Sequence, residues 1–132
     1  MSGVAALLLL TSTARGADQY VACGAGDTVA ARSCEAAAEA MRPWCHVGVV
    51  RNVVDVTANP SDGFRYCVAL TENVSKVTCY YAVGEEIAVL TADTAERARM
   101  CREAPSPFDG ACSYGAQLTS AEPAGLAENP PR

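Results

Sequence analysis

Seven cysteines are spread along this chain of 132 residues, separated by 11, 11, 22, 12, 22 and 11 positions. They are Cys23, Cys34, Cys45, Cys67, Cys79, Cys101 and Cys112. Many widely spaced cysteines in a small chain indicate a disulfide framework when the chain is exported, and such crosslinks restrict the fold strongly. Because no two cysteines are closer than 11 residues, there is no CxxC redox pair and no zinc-knuckle spacing. The sequence therefore predicts neither a metal site nor a cofactor.

The N-terminus supports export. Residues 4–10 are uninterrupted apolar and are followed by small residues up to Gly16, as in the apolar region and cleavage site of a signal peptide. We expect residues 1–16 to be a signal peptide that directs the chain to the periplasm or the cell exterior. The first three residues carry no positive charge, so either the signal begins further upstream or this run is a buried element of a cytosolic protein. No later segment is apolar enough to span a membrane.

The charge balance of the chain excludes some classes of binding partner. The chain has 15 acidic and 10 basic residues, a net charge of −5, and no basic cluster. Nucleic acids and anionic membrane surfaces are therefore not expected as partners, and another protein is. An odd number of cysteines leaves one thiol unpaired within the chain, and this thiol could link two chains in a disulfide-bonded dimer.

The patterning predicts a single disulfide-rich α+β domain over residues 17–118, followed by a proline-rich, disordered tail over 119–132. Capping residues and apolar spacing predict two helices, over 29–41 and 94–104. Runs rich in β-branched and aromatic residues predict strands over 45–57, 64–71, 76–83 and 112–118.

Two parts of the chain resemble each other. Residues 27–45 and 93–112 each begin with Asp-Thr, continue as an Ala/Arg-rich helix and place two cysteines 11 positions apart. Two such βα units predict helices on one face of a mainly antiparallel sheet, in a ferredoxin-like order with an extra hairpin strand. A cystatin-like arrangement, with one helix across a meander, is the alternative.

The expected crosslinks follow from these elements. With a three-residue loop, Cys67 falls opposite Cys79 across the predicted hairpin, whereas a register shifted by one residue pairs Tyr66 with Cys79 instead. The loop after the second helix returns Cys112 to Cys101. Cys34 then pairs with Cys23 or Cys45, and the cysteine left over is buried or joins a second chain. Each closure of about a dozen residues is worth about 3 kcal/mol on the loop-entropy model.

His46 is the only histidine, and it stands beside Cys45. A Cys/His nucleophile with Asp55 as the orienting group is one interpretation, but it needs a free thiolate where a disulfide is expected. We therefore predict a structural histidine and no catalytic residues. Glu85 and Glu86 are interpreted as a solvated pair before a helix.

The aromatic residues give the only indication of a binding face. Trp44, Tyr80 and Tyr81 are its candidate members, because amphipathic rings are enriched at interfaces. Adjacent residues of a strand point to opposite faces, so at most one of the two tyrosines lies in the core if one sheet face is open. The alternative is that the rings pack a minor core.

Three functions are consistent with these features. A small exported binding or inhibitory domain without catalytic activity agrees best with stapling cysteines and absent motifs. The alternatives are an assembly subunit linked to a partner through the odd cysteine, and an enzyme that uses His46 with a free cysteine.

Overall fold

The computed structural model describes residues 29–129, and this part of the chain is helical. The α-helices are α1 (Val29–Glu35), α2 (Arg42–Thr57), α3 (Pro60–Val68), α4 (Asn73–Leu90), α5 (Thr94–Cys101) and α6 (Asp109–Gly115). A short 3₁₀ helix, Glu39–Met41, connects α1 to α2. The predicted signal peptide and Cys23 lie outside the described residues.

The predicted α+β fold is wrong, in both its ferredoxin-like and its cystatin-like forms, because residues 29–129 contain no strand. The valine-rich run from Cys45 to Thr57 forms most of α2. Its buried valines are Val47, Val50, Val53 and Val54, and spacings of three and four connect them, which is the period of one helix face. The β preference of valine is weak, and packing along this face outweighs it.

Two prolines stand in the first turns of helices. Pro43 stands in the first turn of α2, where no hydrogen-bond donor is needed, and so it does not simply end the preceding helix. Residues 59–63, Asn-Pro-Ser-Asp-Gly, have the composition of a turn but include the start of α3, with Pro60 at its first position. The Asn59 side chain accepts a hydrogen bond from the Ser61 backbone N–H and caps that helix.

Three disulfides join Cys34 to Cys45, Cys67 to Cys79 and Cys101 to Cys112. They include both pairs that the sequence analysis favoured and one of its two options for Cys34. Each bond connects two consecutive helices: α1 to α2, α3 to α4, and α5 to α6. The repeated spacing therefore corresponds to three stapled helical hairpins and not to two βα halves.

Helix α4 is the centre of the bundle and contacts α2, α3, α5 and α6. Its buried residues occur on nearly all sides, as expected of a helix enclosed by others. The Tyr80 ring stacks between Phe64 and Phe108, with ring centroids 5.9 and 4.9 Å away. This stack connects α4 to α3 and to the residue that precedes α6.

Two glycines let α4 and α6 cross with their backbones in contact. A methyl group at Gly84 would overlap the Cys112 carbonyl oxygen, and one at Gly115 would overlap the carbonyl oxygen of Tyr81. Glycine inside a helix costs about 1 kcal/mol relative to alanine, and here it permits an approach that no side chain would allow. We call this contact the glycine crossing.

Residues 119–129, which we call the C-terminal strap, follow α6 with an irregular backbone. Leu126 packs against the core, and the Ala127 N–H donates to the Thr78 hydroxyl oxygen at 2.9 Å. The Trp44 indole N–H donates to the Glu128 carbonyl, also at 2.9 Å. A leucine side chain and two backbone groups of the strap thus have partners on the bundle.

Candidate functional site

His46 is enclosed between α1, α2 and α3, with no exposed side-chain surface. Its Nδ1 is hydrogen-bonded to the Tyr66 hydroxyl at 2.7 Å, and its Nε2 lies 3.3 Å from Glu35 Oε1 without hydrogen-bond geometry. Burial lowers the pKa of His46 from its ordinary value of 6.5, and the charge of Glu35 opposes this effect. The imidazole is therefore held neutral over a wider pH range than a free histidine.

An ion pair lies beside this histidine. Arg42 Nη1 is 3.4 Å from Glu72 Oε1, and the Ser75 hydroxyl donates to Glu72 Oε2 at 2.6 Å. Glu72 raises and Arg42 lowers the pKa of His46, both by smaller amounts than Glu35. We call Glu35, Arg42, His46, Tyr66 and Glu72 the His46 cluster.

The His46 cluster lacks the free thiol that a Cys/His nucleophile needs. Cys45 is bonded to Cys34, and every cysteine of residues 29–129 is in a disulfide. Asp55, the predicted orienting group, lies nine positions beyond His46 on α2, or about 13 Å along the helix axis. It interacts with Glu86 and not with the histidine. The cluster instead fastens α1 and α3 to the beginning of α2.

The structure separates the three residues of the predicted binding face. Tyr80 is completely buried and cannot contact a partner. Trp44 is half-buried, and its indole N–H holds the strap. Tyr81 is half-buried and opens onto a surface cleft. The expectation that at most one of the adjacent tyrosines lies in the core rested on a strand with one open sheet face, and the two instead lie on a helix.

That cleft, which we call the tyrosine cleft, has a volume of about 490 Å³. Its walls are Tyr81, Glu85, Tyr114, Gly115, Gln117, Leu118, Thr119 and Ser120. The rings of Tyr81 and Tyr114 are tilted at 37° with centroids 5.8 Å apart. Because Gly115 belongs to the glycine crossing, the two rings are mounted on helices whose backbones touch.

Glu85 is the charged residue that lines the tyrosine cleft, and it belongs to an acidic group with Glu86 and Asp55. Glu85 accepts a hydrogen bond from the Tyr81 hydroxyl at 2.7 Å and forms an ion pair with Arg51. The same arginine also forms an ion pair with Glu86, with 3.6 Å between Arg51 Nε and Glu86 Oε1. Burial is the main cause of a raised pKa at Glu86, and the neighbouring charge of Asp55 adds to it. The Arg51 guanidinium is therefore paired with two carboxylates, and Asp55 adds a third negative charge beside Glu86.

The Tyr81 hydroxyl is a permanent hydrogen-bond donor. Burial and the bond to Glu85 raise the pKa of Tyr81 to about 12, so the phenol stays protonated at any physiological pH. The Tyr81 side chain thus holds Glu85 in place, while its ring faces the cleft beside that of Tyr114.

Glu85 is predicted from the sequence as a solvated residue, and Tyr114 is not among the predicted binding residues. Tyr81 and Glu85 are four positions apart, which places them on one face of a helix. The same spacing in a strand places them about 13 Å apart. Reading the segment as helix is the signal that would have found the pair, whereas the approach of Tyr114 depends on how α6 crosses α4.

No helix of residues 29–129 is both long enough and apolar enough to cross a membrane. The same residues contain no group of three or more His, Cys, Asp or Glu side chains arranged to hold a metal ion.

No protein-family model, curated protein sequence or solved structure matches this chain at a significant level. Function has to be inferred from the geometry of its own residues.

Proposed function

We propose that this chain is an exported, disulfide-stapled helical domain that binds a protein partner through the tyrosine cleft and has no catalytic role. The observation that carries the proposal is the pair of tyrosine rings, Tyr81 and Tyr114, held over an open cleft beside the Glu85 carboxylate. Rigid amphipathic rings lose little conformational entropy on binding and are enriched at the centres of interfaces.

The charge of the cleft favours a basic group on the partner. Arg51 pairs with both Glu85 and Glu86, Asp55 adds a further negative charge beside Glu86, and the whole chain carries a net charge of −5. A lysine or arginine side chain over the Tyr114 ring would gain cation–π attraction and the field of these carboxylates. We infer that the partner places such a side chain over the Tyr114 ring, within reach of the Glu85 carboxylate.

Export is supported by the cysteines together with the N-terminal sequence. Three disulfides persist in an oxidising compartment, the periplasm or the cell exterior, and would be reduced in most cytosols. The apolar run of residues 4–10 is the length of a signal-peptide core.

A capture experiment with the full chain tests the proposal. Tyr114→Ser removes a half-buried ring from the cleft, and Val89→Ser, at a side chain that is 78% exposed on the same bundle, is the matched control. We expect one exported protein to be retained by the wild type and by Val89→Ser but not by Tyr114→Ser, with equal unfolding midpoints for both variants. Identical retention by all three proteins would refute a role for the cleft.

A second candidate function rests on the cysteine count. The six cysteines of residues 29–129 pair within the chain, so of the seven in the sequence only Cys23, outside the described residues, has no partner among them. An assembly subunit joined to another chain through Cys23 should run as a dimer on a non-reducing gel. The Cys23→Ser variant should then run as a monomer, and a wild type that is monomeric without reductant would exclude this function.

A further inference from the structure

The C-terminal strap contacts the bundle at both ends, and its middle part is exposed to solvent. Leu118, just before it, and Leu126 pack against the hydrophobic core. The backbone of Ala127 and Glu128 is held by Thr78 and Trp44. Between the two leucines, most residues of 119–125 are exposed to solvent. The strap therefore arches over the bundle.

Beneath the arch lies a cavity of about 520 Å³, within the usual range of small-molecule sites. Its inner wall is formed by Val77, Phe108 and Ala111, and its outer wall by Ala121, Pro123 and Ala124. These side chains are apolar, and so they favour an apolar molecule that would release water from both walls. The cavity is on a different surface from the tyrosine cleft, with Thr119 as the single residue that lines both.

The charged and polar groups near the cavity differ between its helix side and its strap side. Lys76, the only lysine of the chain, holds its ammonium 5.7 Å from the centre of the Phe108 ring and forms no ion pair within residues 29–129. Asn73, one turn earlier on α4, lines the cavity and offers an amide donor. Glu122 stands on the opposite side, on the strap. Asn73 thus places a donor on the helix side of the cavity, with the Lys76 ammonium beside the lining residue Phe108, and the strap side presents one carboxylate.

We propose that this cavity binds a small amphiphile with an apolar body and one carboxylate, an aliphatic carboxylic acid being the simplest case. The apolar body lies between Phe108 and the strap, and the carboxylate accepts hydrogen bonds from Lys76 and Asn73. Lys76 then gains the anionic partner that it lacks within the described chain. This site is additional to the protein-binding role of the tyrosine cleft and does not depend on it.

Two glycines provide a matched pair of variants. Gly110 lines the cavity, and a Cβ built there meets no atom within 4 Å. Gly48 has the same freedom on α2 but is not part of the cavity wall. Gly110→Leu should fill the cavity without displacing the backbone, whereas Gly48→Leu should leave it open. Both variants replace a helical glycine, so neither is expected to lower the unfolding midpoint.

Calorimetric titration of the full chain with sodium decanoate, below its micelle concentration, is the test. We expect saturable binding to the wild type and to Gly48→Leu, and none to Gly110→Leu. Absence of saturable binding to the wild type, or equal binding to all three proteins, would overturn the proposal.

The charge of the head group is tested separately. Lys76→Gln should weaken decanoate binding by about three- to tenfold, and Glu122→Gln should strengthen it by about twofold, because one change removes an attraction and the other a repulsion. Decanol should bind more weakly than decanoate. If decanol or decylamine binds as tightly as decanoate, or the two substitutions act in the opposite directions, the site does not recognise a carboxylate and the proposal is overturned.

Discussion

The His46 cluster and the tyrosine cleft are built from the same kinds of side chain, but only one of them is open. His46 and Tyr66 bond to each other at the beginning of the bundle, with no exposed surface. Tyr81 and Glu85 also bond to each other, but the next tyrosine, Tyr114, leaves a cleft of about 490 Å³ beside them. The two regions therefore differ in solvent exposure more than in the chemical character of their residues. A buried cluster of this kind holds helices together, whereas an exposed one can bind a partner.

The largest expected effect is at the glycine crossing, which forms one wall of the cleft. In Gly115→Ala the new methyl group meets the backbone of Tyr81 and Glu85, which cannot move without separating α4 from α6. We expect a loss of about 3 kcal/mol or more in the free energy of unfolding, measured by urea denaturation. In Gly48→Ala, where the methyl group has open space, we expect no loss and a gain of up to about 1 kcal/mol. Equal stability of the two variants would show that the helices do not touch there.

The disulfide next to His46 should have a similar but smaller effect. Cys34→Ser with Cys45→Ser removes the bond that holds Glu35 opposite His46, and closure of this loop contributes about 3 kcal/mol on the entropic model. We expect the double variant to be less stable in thermal unfolding while its affinity for a ligand of the tyrosine cleft is unchanged. A double variant as stable as the wild type would show that this staple does not support the cluster.

The disulfide pairs could be predicted from the sequence, whereas the helical fold could not. The pairs Cys67–Cys79 and Cys101–Cys112 were predictable because a separation of about a dozen residues brings two cysteines together in any hairpin. The same separation suits strands and helices equally, so it did not identify the elements. The valines of α2 and the aromatic residues of α4 favour strands by intrinsic preference, and only packing around the buried Tyr80 and Ile87 decides otherwise.

Only part of the tyrosine cleft could be predicted from the sequence. Tyr81 was selected for its amphipathic ring, and it does line the cleft. Tyr80 was selected on the same grounds and is wholly buried. The cleft also needs Gly84 and Gly115 to bring Tyr114 beside Tyr81, and a glycine in a sequence does not reveal which backbone approaches it.

A smaller effect distinguishes the hydroxyl groups of the two regions. Tyr66→Phe leaves the buried His46 Nδ1 without its partner, and an unsatisfied buried group costs about 1–3 kcal/mol. Tyr114→Phe, at a half-exposed ring, should cost less than about 0.5 kcal/mol. Denaturant midpoints of the two variants, measured side by side, check this. A larger loss for Tyr114→Phe would reverse the roles assigned to the two regions.

The smallest expected effect is a pH dependence that comes from the His46 cluster. Above pH 6.5 the imidazole is neutral in both the folded and the unfolded chain. Below it, the unfolded chain binds a proton that the folded chain binds less tightly, because burial lowers the folded pKa of His46. The free energy of unfolding should then fall with decreasing pH by at most about 1.4 kcal/mol per unit, until the folded pKa is reached.

His46→Gln isolates this contribution. Its stability between pH 6.5 and the lowered pKa should depend less on pH than that of the wild type, as measured by denaturation at several pH values. Identical pH profiles for the two proteins would mean that the folded and unfolded pKa values of His46 are the same.

Hydroxyl-radical labelling of the native chain, read by peptide mass spectrometry, compares the two regions in one measurement. Tyr81 and Tyr114 should be labelled in the folded protein, whereas His46 and Tyr66 should be labelled only after unfolding. Labelling of His46 or Tyr66 at the unfolded rate in the native protein, or protection of Tyr114, would contradict the assignment of one region as a closed fastening and the other as an open site.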